Sequence, residues 1–487
     1  MTFDSANTRR VGYNFLTARH LRVSSAVSTT ADVVIVGAGA AGLAAARELT
    51  ARGLHCIVLE ARDRVGGRIH TIRSPASPAP IELGAEFVHG GAPITRRLAG
   101  EGSLAIYDVV GDRFQSNAHR VVRLEHYWDR LDRVLRLLDS HRNPDRSFAA
   151  FLADRPGGHR LARERALASQ WVRGFQAADP RVVSERAMAE GSSPGEEEER
   201  ALARIADGYA SLINLLAADV PDIRLGAVVS RVIWQRGQVT IIGTQTESFE
   251  LTARAAIITA PVPLLSQRGQ TPLKKWSLTP LTSPLTSLNA LEAGGWIEFE
   301  PELPAAHQRA LDMIAMGDVV RVSLVLDEPF WRTKSVGKNT TMRHLAFMHA
   351  GRDGMPVCWT MHPVESPVLV AWFGFPESAD LVRRSRHDIE SEAIAAVSRV
   401  FHTTRRTLER RVRGCHFHNW SQDPLTRGAY SYASVGGSGA NKTLSRAIGG
   451  TIWLAGEAYD PEGRTGTVEG ATGSGQHAAR AVRRTLG

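Results

Sequence analysis

Long apolar runs are missing from this chain. Nothing reaches the ~18 consecutive apolar residues that a membrane-crossing helix needs, so no membrane span or anchor is expected. Cysteine is scarce: Cys56, Cys358 and Cys415 stand far apart, which argues against a disulfide framework or a Cys-based metal site and fits a reducing cytoplasm. Lysine is almost absent, represented by Lys274, Lys275, Lys334, Lys338 and Lys442 among 59 basic residues, so the net charge of +9 is an arginine charge. Those arginines are scattered rather than gathered into a block, and neither nucleic acid nor an anionic surface is expected as a partner. Residues 1–30, rich in Arg and Ser/Thr with Asp4 as their one acid, carry no apolar segment after Arg9-Arg10 and read as a disordered leader. What remains, 487 residues with 43% hydrophobic and 22% charged, suits two or three globular domains.

Residues 32–68, DVVIVGAGAAGLAAARELTARGLHCIVLEARDRVGGR, are the most informative stretch. Asp32 to Val36 predicts a strand buried on both faces of a parallel sheet. Gly37, Gly39 and Gly42 follow with G-x-G-x-x-G spacing. The first permits a tight turn, the second admits a pyrophosphate, and the third lets a helix pack on the strand. Ala40 and Ala41 would open that helix, whose positive N-terminus takes the phosphate, and Leu43 to Arg52 are good helix formers. Cys56 to Leu59 supplies the next strand and Glu60 closes it, 18 residues past Gly42, where a carboxylate can accept from both ribose hydroxyls and would repel a 2′-phosphate. Beyond Ala61, the run Arg62 to Arg68 adds Gly66 and Gly67, which keep backbone near the phosphates, and Arg68, which can neutralise them.

This segment resembles the FAD signature of the flavin-dependent amine oxidase superfamily, which includes monoamine oxidases, polyamine oxidases and lysine-specific histone demethylases. Two further stretches carry the resemblance. Residues 453–480, WLAGEAYDPEGRTGTVEGATGSGQHAAR, are similar to the closing flavin segment. By that resemblance Gly456 and Glu457 meet the ribityl chain, and Val468 lends an N–H to the flavin at the start of the last helix. Residues 207–234 and 253–265 resemble the middle flavin segment, with Val229 meeting adenine. The implied fold is α/β: a Rossmann-type FAD-binding domain from discontinuous segments (31–95, 205–265 and 405–487), plus an α+β substrate domain (96–204 and 266–404) with a mixed sheet and a helical insertion.

The first insertion reads as helical, with Leu124, Trp128, Leu131, Val134, Leu135 and Leu138 at helix spacing and a second helix over Leu161 to Arg173. A helix cap is expected at Ser193-Pro194. Strands are expected over Val319 to Leu326 and Val368 to Phe375, and a helix over Asp388 to Phe401. Residues 266–295 depart from the family pattern as an added Pro- and Ser/Thr-rich loop.

The resemblance also implies the chemistry. Tyr430 and Thr467 map to the two cage residues that flank the amine, and Trp420 lines the flavin. Ala429 stands where monoamine oxidases carry the flavin-bonded cysteine, so FAD should be noncovalent. Glu82 to Gly90 resembles the polyamine oxidase segment beside the substrate cavity; Gly84, Ala85 and Glu86 are placed on the cofactor, and His89 is a candidate for an amine or hydroxyl. Phe87 occupies the position of the carboxylate-binding arginine of L-amino-acid oxidases, which disfavours amino-acid substrates. Arg321 replaces a lysine that holds a water at flavin N5, and arginine cannot easily relay that water's proton. The expected activity is oxidation of a primary or secondary amine, mono- or polyamine, with O2 or another electron acceptor and no metal. A dehydrogenase, a carbon–carbon desaturase or oxidase, and a non-catalytic FAD-binding scaffold stand as alternatives. Substrate identity and oligomeric state leave no signature.

Overall fold

The computed structural model describes residues 30–117, 120–191, 200–266, 296–337, 340–350 and 357–487. The leader over 1–29, the cap at Ser193-Pro194 and all but the first residue of the added loop at 266–295 lie outside them.

A β-branched strand, β1 (Thr30–Val36), leads into α1 (Ala40–Thr50) and returns as β2 (Cys56–Glu60). β1 and β2 are parallel, and β1 lies parallel to Ser248–Ile258 on its other edge. Ile223–Leu225 extends the sheet beyond β2. The long strand Ser248–Ile258 shares its far edge between Gln238–Thr244 near its start and Ile452–Leu454 near its end. Two apolar clusters cover the two faces, which is why these strands read as unbroken Val/Ile runs rather than as alternating patterns. The C-terminal helix Val468–Leu486 lies against α1.

A second, seven-stranded sheet runs in the order Val412–His416, Val320–Leu326, Val368–Phe373, Val357–Thr360, Leu345–Ala350, Asp112–Ser116, Val121–Arg123. The helix Arg386–Val400, capped by Ser385 Oγ, packs over it through Ile389, Ala393, Ala396 and Val397. A helical cluster comprising Tyr127–Leu135, Phe148–Ala153 and Ala162–Gly174 closes around Leu131, Val134, Phe148, Phe151 and Val172.

Four boundaries differ from expectation. The first insertion is not only helical: it also supplies Ile106–Asp108, Asp112–Ser116, Val121–Arg123 and Leu202–Ile205, strands stabilised by partners far away in sequence. The helix Pro93–Glu101 crosses the expected limit at residue 95 and packs on the C-terminal helix, whose Glu469 carboxylate accepts from Ile94 N and Thr95 N at 2.9 Å. Glu298–Glu300 pairs with Val228–Gln235 in the first sheet, not in the substrate domain. Val412–His416 joins the second sheet, so the last flavin segment begins after it rather than at 405.

The approach of α1 to the C-terminal helix depends on Gly475, where a Cβ would sit 2.1 Å from Ala41 O. Gly475→Ala is expected to cost about 1–3 kcal/mol by forcing the two helices apart. A lower midpoint in thermal or urea unfolding checks this.

Candidate active site

A cavity runs from the C-terminal ends of the parallel strands to the second sheet.

At the nucleotide end, Gly37 holds φ +107°, and a Cβ there would lie 2.3 Å from Thr259 Oγ1. Thr259, which the sequence reading missed, donates to Val36 O at 2.8 Å and closes the turn. Gly39 caps α1 without a side-chain bond, so the N–H groups of Ala40 and Ala41 on the wall have no acceptor within the helix. Gly67 packs opposite Gly39, and Gly66 N donates to Ala38 O at 2.8 Å. Glu60 is buried; its Oε2 accepts from Ala38 N at 2.8 Å and its Oε1 from Arg62 N at 2.9 Å. Burial pushes its carboxyl pKa up, opposed by those two N–H donors. Ala61 and Val229 complete this end of the wall. An uncapped helix start, two facing glycines and a carboxylate with spare lone pairs fit a pyrophosphate and an unphosphorylated ribose.

Glu457 organises the middle. Its Oε1 accepts from Arg68 Nη1 at 2.8 Å, while Oε2 accepts from Ser431 Oγ at 2.6 Å and Gly466 N at 3.0 Å. Arg68 Nη1 also donates to Ala429 O at 2.9 Å. Arg62 pairs with Asp423 at 2.9 Å, and His418 Nε2 lies 2.7 Å from the other Asp423 oxygen. Trp420 stands beside them with Nε1 donating to Leu83 O at 2.8 Å. Against the burial that would raise it, the His418 hydrogen bond and the Arg62 charge hold the Asp423 carboxyl well below the usual range. Asp423, between Trp420 and Tyr430 in the chain, was not singled out from the sequence. Its only signal was an acid beside an aromatic in an arginine-rich chain.

Towards the second sheet, Tyr430 Oη donates to Phe175 O at 2.6 Å and Trp372 Nε1 to Gly174 O at 2.8 Å, so both rings are pinned by the end of one helix of the insertion. Burial raises the Tyr430 pKa and keeps the phenol neutral. Thr467 is on the wall, but its hydroxyl is committed to capping: it donates to Arg464 O at 2.7 Å and accepts from Gly470 N at 2.9 Å. Val468, the first helical residue, leaves an N–H without an intrahelical acceptor. Gly84, Ala85, Gly456 and Arg321 also line the cavity.

Three expected site residues are off this wall. Gly42 serves packing, since a Cβ there would lie 1.9 Å from Gly37 O. Glu86 is buried behind the wall, where Arg204 Nε at 2.6 Å and Arg321 Nη2 at 2.5 Å occupy its oxygens. Its charge answers two arginines instead of a cofactor. His89 stands edge-on to Phe87 and Phe175, and burial pulls its imidazole down to about 4. Phe87 is backed by the Arg204 guanidinium, 4.7 Å from its centroid, and offers nothing to a carboxylate.

The sequence profile of flavin containing amine oxidoreductases matches residues 40–483. The chain belongs to this family. It is 26% identical to polyamine oxidase 3 of Oryza sativa subsp. japonica, over 94% of this chain and 90% of that protein. It is 25% identical to the lysine-specific histone demethylase 1 homolog 2 of the same species, over 93% of this chain and 57% of that protein. In fold it is similar to putrescine oxidase bound to putrescine, with a TM-score of 0.73 at 21% identity over 93% of this chain and 99% of the other. Cyclohexylamine oxidase from Brevibacterium oxydans IH-35A gives a TM-score of 0.72, also at 21% identity, over 94% and 99%. The cofactor of this amine oxidoreductase is FAD. No cysteine or histidine lies on the described wall and Ala429 offers no thiol, so the flavin is held noncovalently.

Because the folded Asp423 carboxyl is depressed, its stabilisation is complete above its unfolded value near pH 4 and is lost as pH falls through the lower folded value. Asp423→Asn is expected to cost about 3–5 kcal/mol at neutral pH by leaving Arg62 unpaired, and to flatten the acid limb below about pH 4. Unfolding and flavin release followed against pH check both.

Proposed function

We propose that this enzyme oxidises a primary or secondary amine, mono- or polyamine, to an imine that water hydrolyses to an aldehyde or ketone, with O2 reduced to H2O2. The observation that carries the reading is the end of the cavity between Tyr430 and Thr467. It is apolar, and the nearby carboxylates are already paired, Glu457 with Arg68 and Glu86 with Arg321 and Arg204. A neutral amine with its lone pair free is favoured in such surroundings.

FAD held by Glu60, Arg68 and the start of the helix Val468–Leu486 would supply the two-electron acceptor for the hydrogen on the amine's α-carbon. The amine loses that hydrogen from carbon and a proton from nitrogen; water then adds at the imine carbon and the C–N bond breaks. O2 takes up the two electrons with two protons. Tyr430, tied to Phe175 O, fixes the orientation of one cage wall. The Thr467 methyl bounds the other side. The similarity to polyamine oxidase 3 and to putrescine oxidase supports the same substrate class. Free cysteines, two of them buried, suit a reducing cytoplasm. Among the described residues no helix is long and apolar enough to cross a membrane.

A second reading, a dehydrogenase passing electrons to another acceptor, is favoured by one observation: Arg321 stands in the lysine position and is tied down by Glu86 and Gly84 O. Anaerobic mixing of the purified protein with mono-, di- and polyamines decides the main point. Bleaching of the flavin absorbance by one amine class is expected, with recovery on admitting air; bleaching without recovery selects the other acceptor, and no bleaching overturns amine oxidation. Tyr430→Ala is expected to slow the bleaching about 10- to 100-fold.

A further inference from the structure

Arg321 lies on Val320–Leu326, the second of the seven strands of the second sheet, is 6% exposed, and contributes to the wall of the cofactor cavity. Its Nη1 donates to Gly84 O at 2.8 Å and its Nη2 to Glu86 Oε2 at 2.5 Å. The other Glu86 oxygen accepts from Arg204 Nε at 2.6 Å, and Trp359 Nε1 reaches both oxygens at 3.0 and 3.1 Å. Arg204 is fixed in turn by Thr360 O and His362 O at 3.0 and 3.2 Å. Two guanidiniums thus share one carboxylate in a buried cluster, leaving one positive charge in excess. Arg321 Nε, buried, has no hydrogen-bond partner.

Glu82 is the other carboxylate that feels Arg321. Its oxygens are held by Thr71 Oγ1 at 2.7 Å and Tyr209 N at 2.8 Å, and burial pushes it up to about 7, so it carries a full charge only above neutrality. An arginine side chain at this position keeps its charge where a buried lysine would readily give up its proton. Its two hydrogen bonds hold the charge in one place.

We propose that Arg321, clamped by Glu86 and backed by Arg204, is a fixed buried cation of the cofactor wall that favours the more negative, reduced form of the bound flavin, with Glu86 and Arg204 as positioning residues. The inference rests on FAD occupying this cavity and is independent of which amine is oxidised.

The test is the midpoint potential of the bound flavin, measured by reductive titration against a reference dye with no amine present. Arg321→Met removes the excess charge while leaving the Arg204–Glu86 pair intact. It is expected to weaken binding of reduced relative to oxidised flavin at least tenfold, which lowers the potential by ~30 mV for a two-electron couple. Glu86→Gln removes the negative member and is expected to shift the potential the other way. Arg321→Lys, which keeps the charge, should stay closer to the wild type than Arg321→Met. A merely structural role would not give opposite signs. If Arg321→Met binds FAD stoichiometrically with an unchanged potential, or if both neutralising variants shift it in the same direction, the proposal fails. Absence of amine-driven bleaching in the wild type alongside opposite shifts would overturn the amine reading and leave this one standing.

Discussion

The ion pair between Arg68 and Glu457 is the interaction on which the site depends. The partners are 389 positions apart, one at the end of the stretch 32–68 and one before the last helix. Glu457 also holds Ser431 and the Gly466 turn, and Arg68 holds Ala429 O, so one carboxylate and one guanidinium set the spacing of the strand ends, the Tyr430 loop and the start of the helix Val468–Leu486. Both side chains are largely buried. Loss of either would leave an uncompensated charge costing about 3–5 kcal/mol. The discontinuous chain thereby becomes one cavity.

Other buried charges around the cavity are organised in a similar way. Arg62 answers Asp423, and Arg321 and Arg204 answer Glu86. Arg204 and Arg321 each reach carboxylate and carbonyl oxygens through different nitrogens of the guanidinium fork, which a single ammonium could not do. At these positions the scattered arginines are structural. They leave the substrate end lined by Tyr430, Trp372 and Thr467 with the nearby carboxylates paired, and that apolar character ties the architecture to the proposed amine chemistry.

How far the sequence could be read follows from the range of the interactions. The strand, turn and helix from Thr30 to Thr50 and the strand ending in Glu60 were legible because glycine spacing, β-branched runs and the ribose carboxylate are local signals. The start of the last helix at Val468 was legible from a family pattern. The ion pairs of Glu86 were not foreseen because its partners, Arg204 and Arg321, lie 118 and 235 positions away and nothing local announces them. Asp423 was passed over for the same reason, its Arg62 partner being 361 positions distant. The strand Asp112–Ser116 escaped notice because its stability comes from Leu345–Ala350. His89 was singled out by its motif, yet it packs among Phe87 and Phe175 off the described cavity wall.

The most direct test of the account is a crystal structure of the yellow protein with a slow amine substrate or amine inhibitor bound. The account predicts the pyrophosphate at the start of α1, the ribose on Glu60, the flavin ring bounded by Trp420, Arg321 and the start of the helix Val468–Leu486, and the amine between Tyr430 and Thr467. A flavin ring remote from Arg321 and Val468, or an amine bound away from the Tyr430 ring, would contradict it.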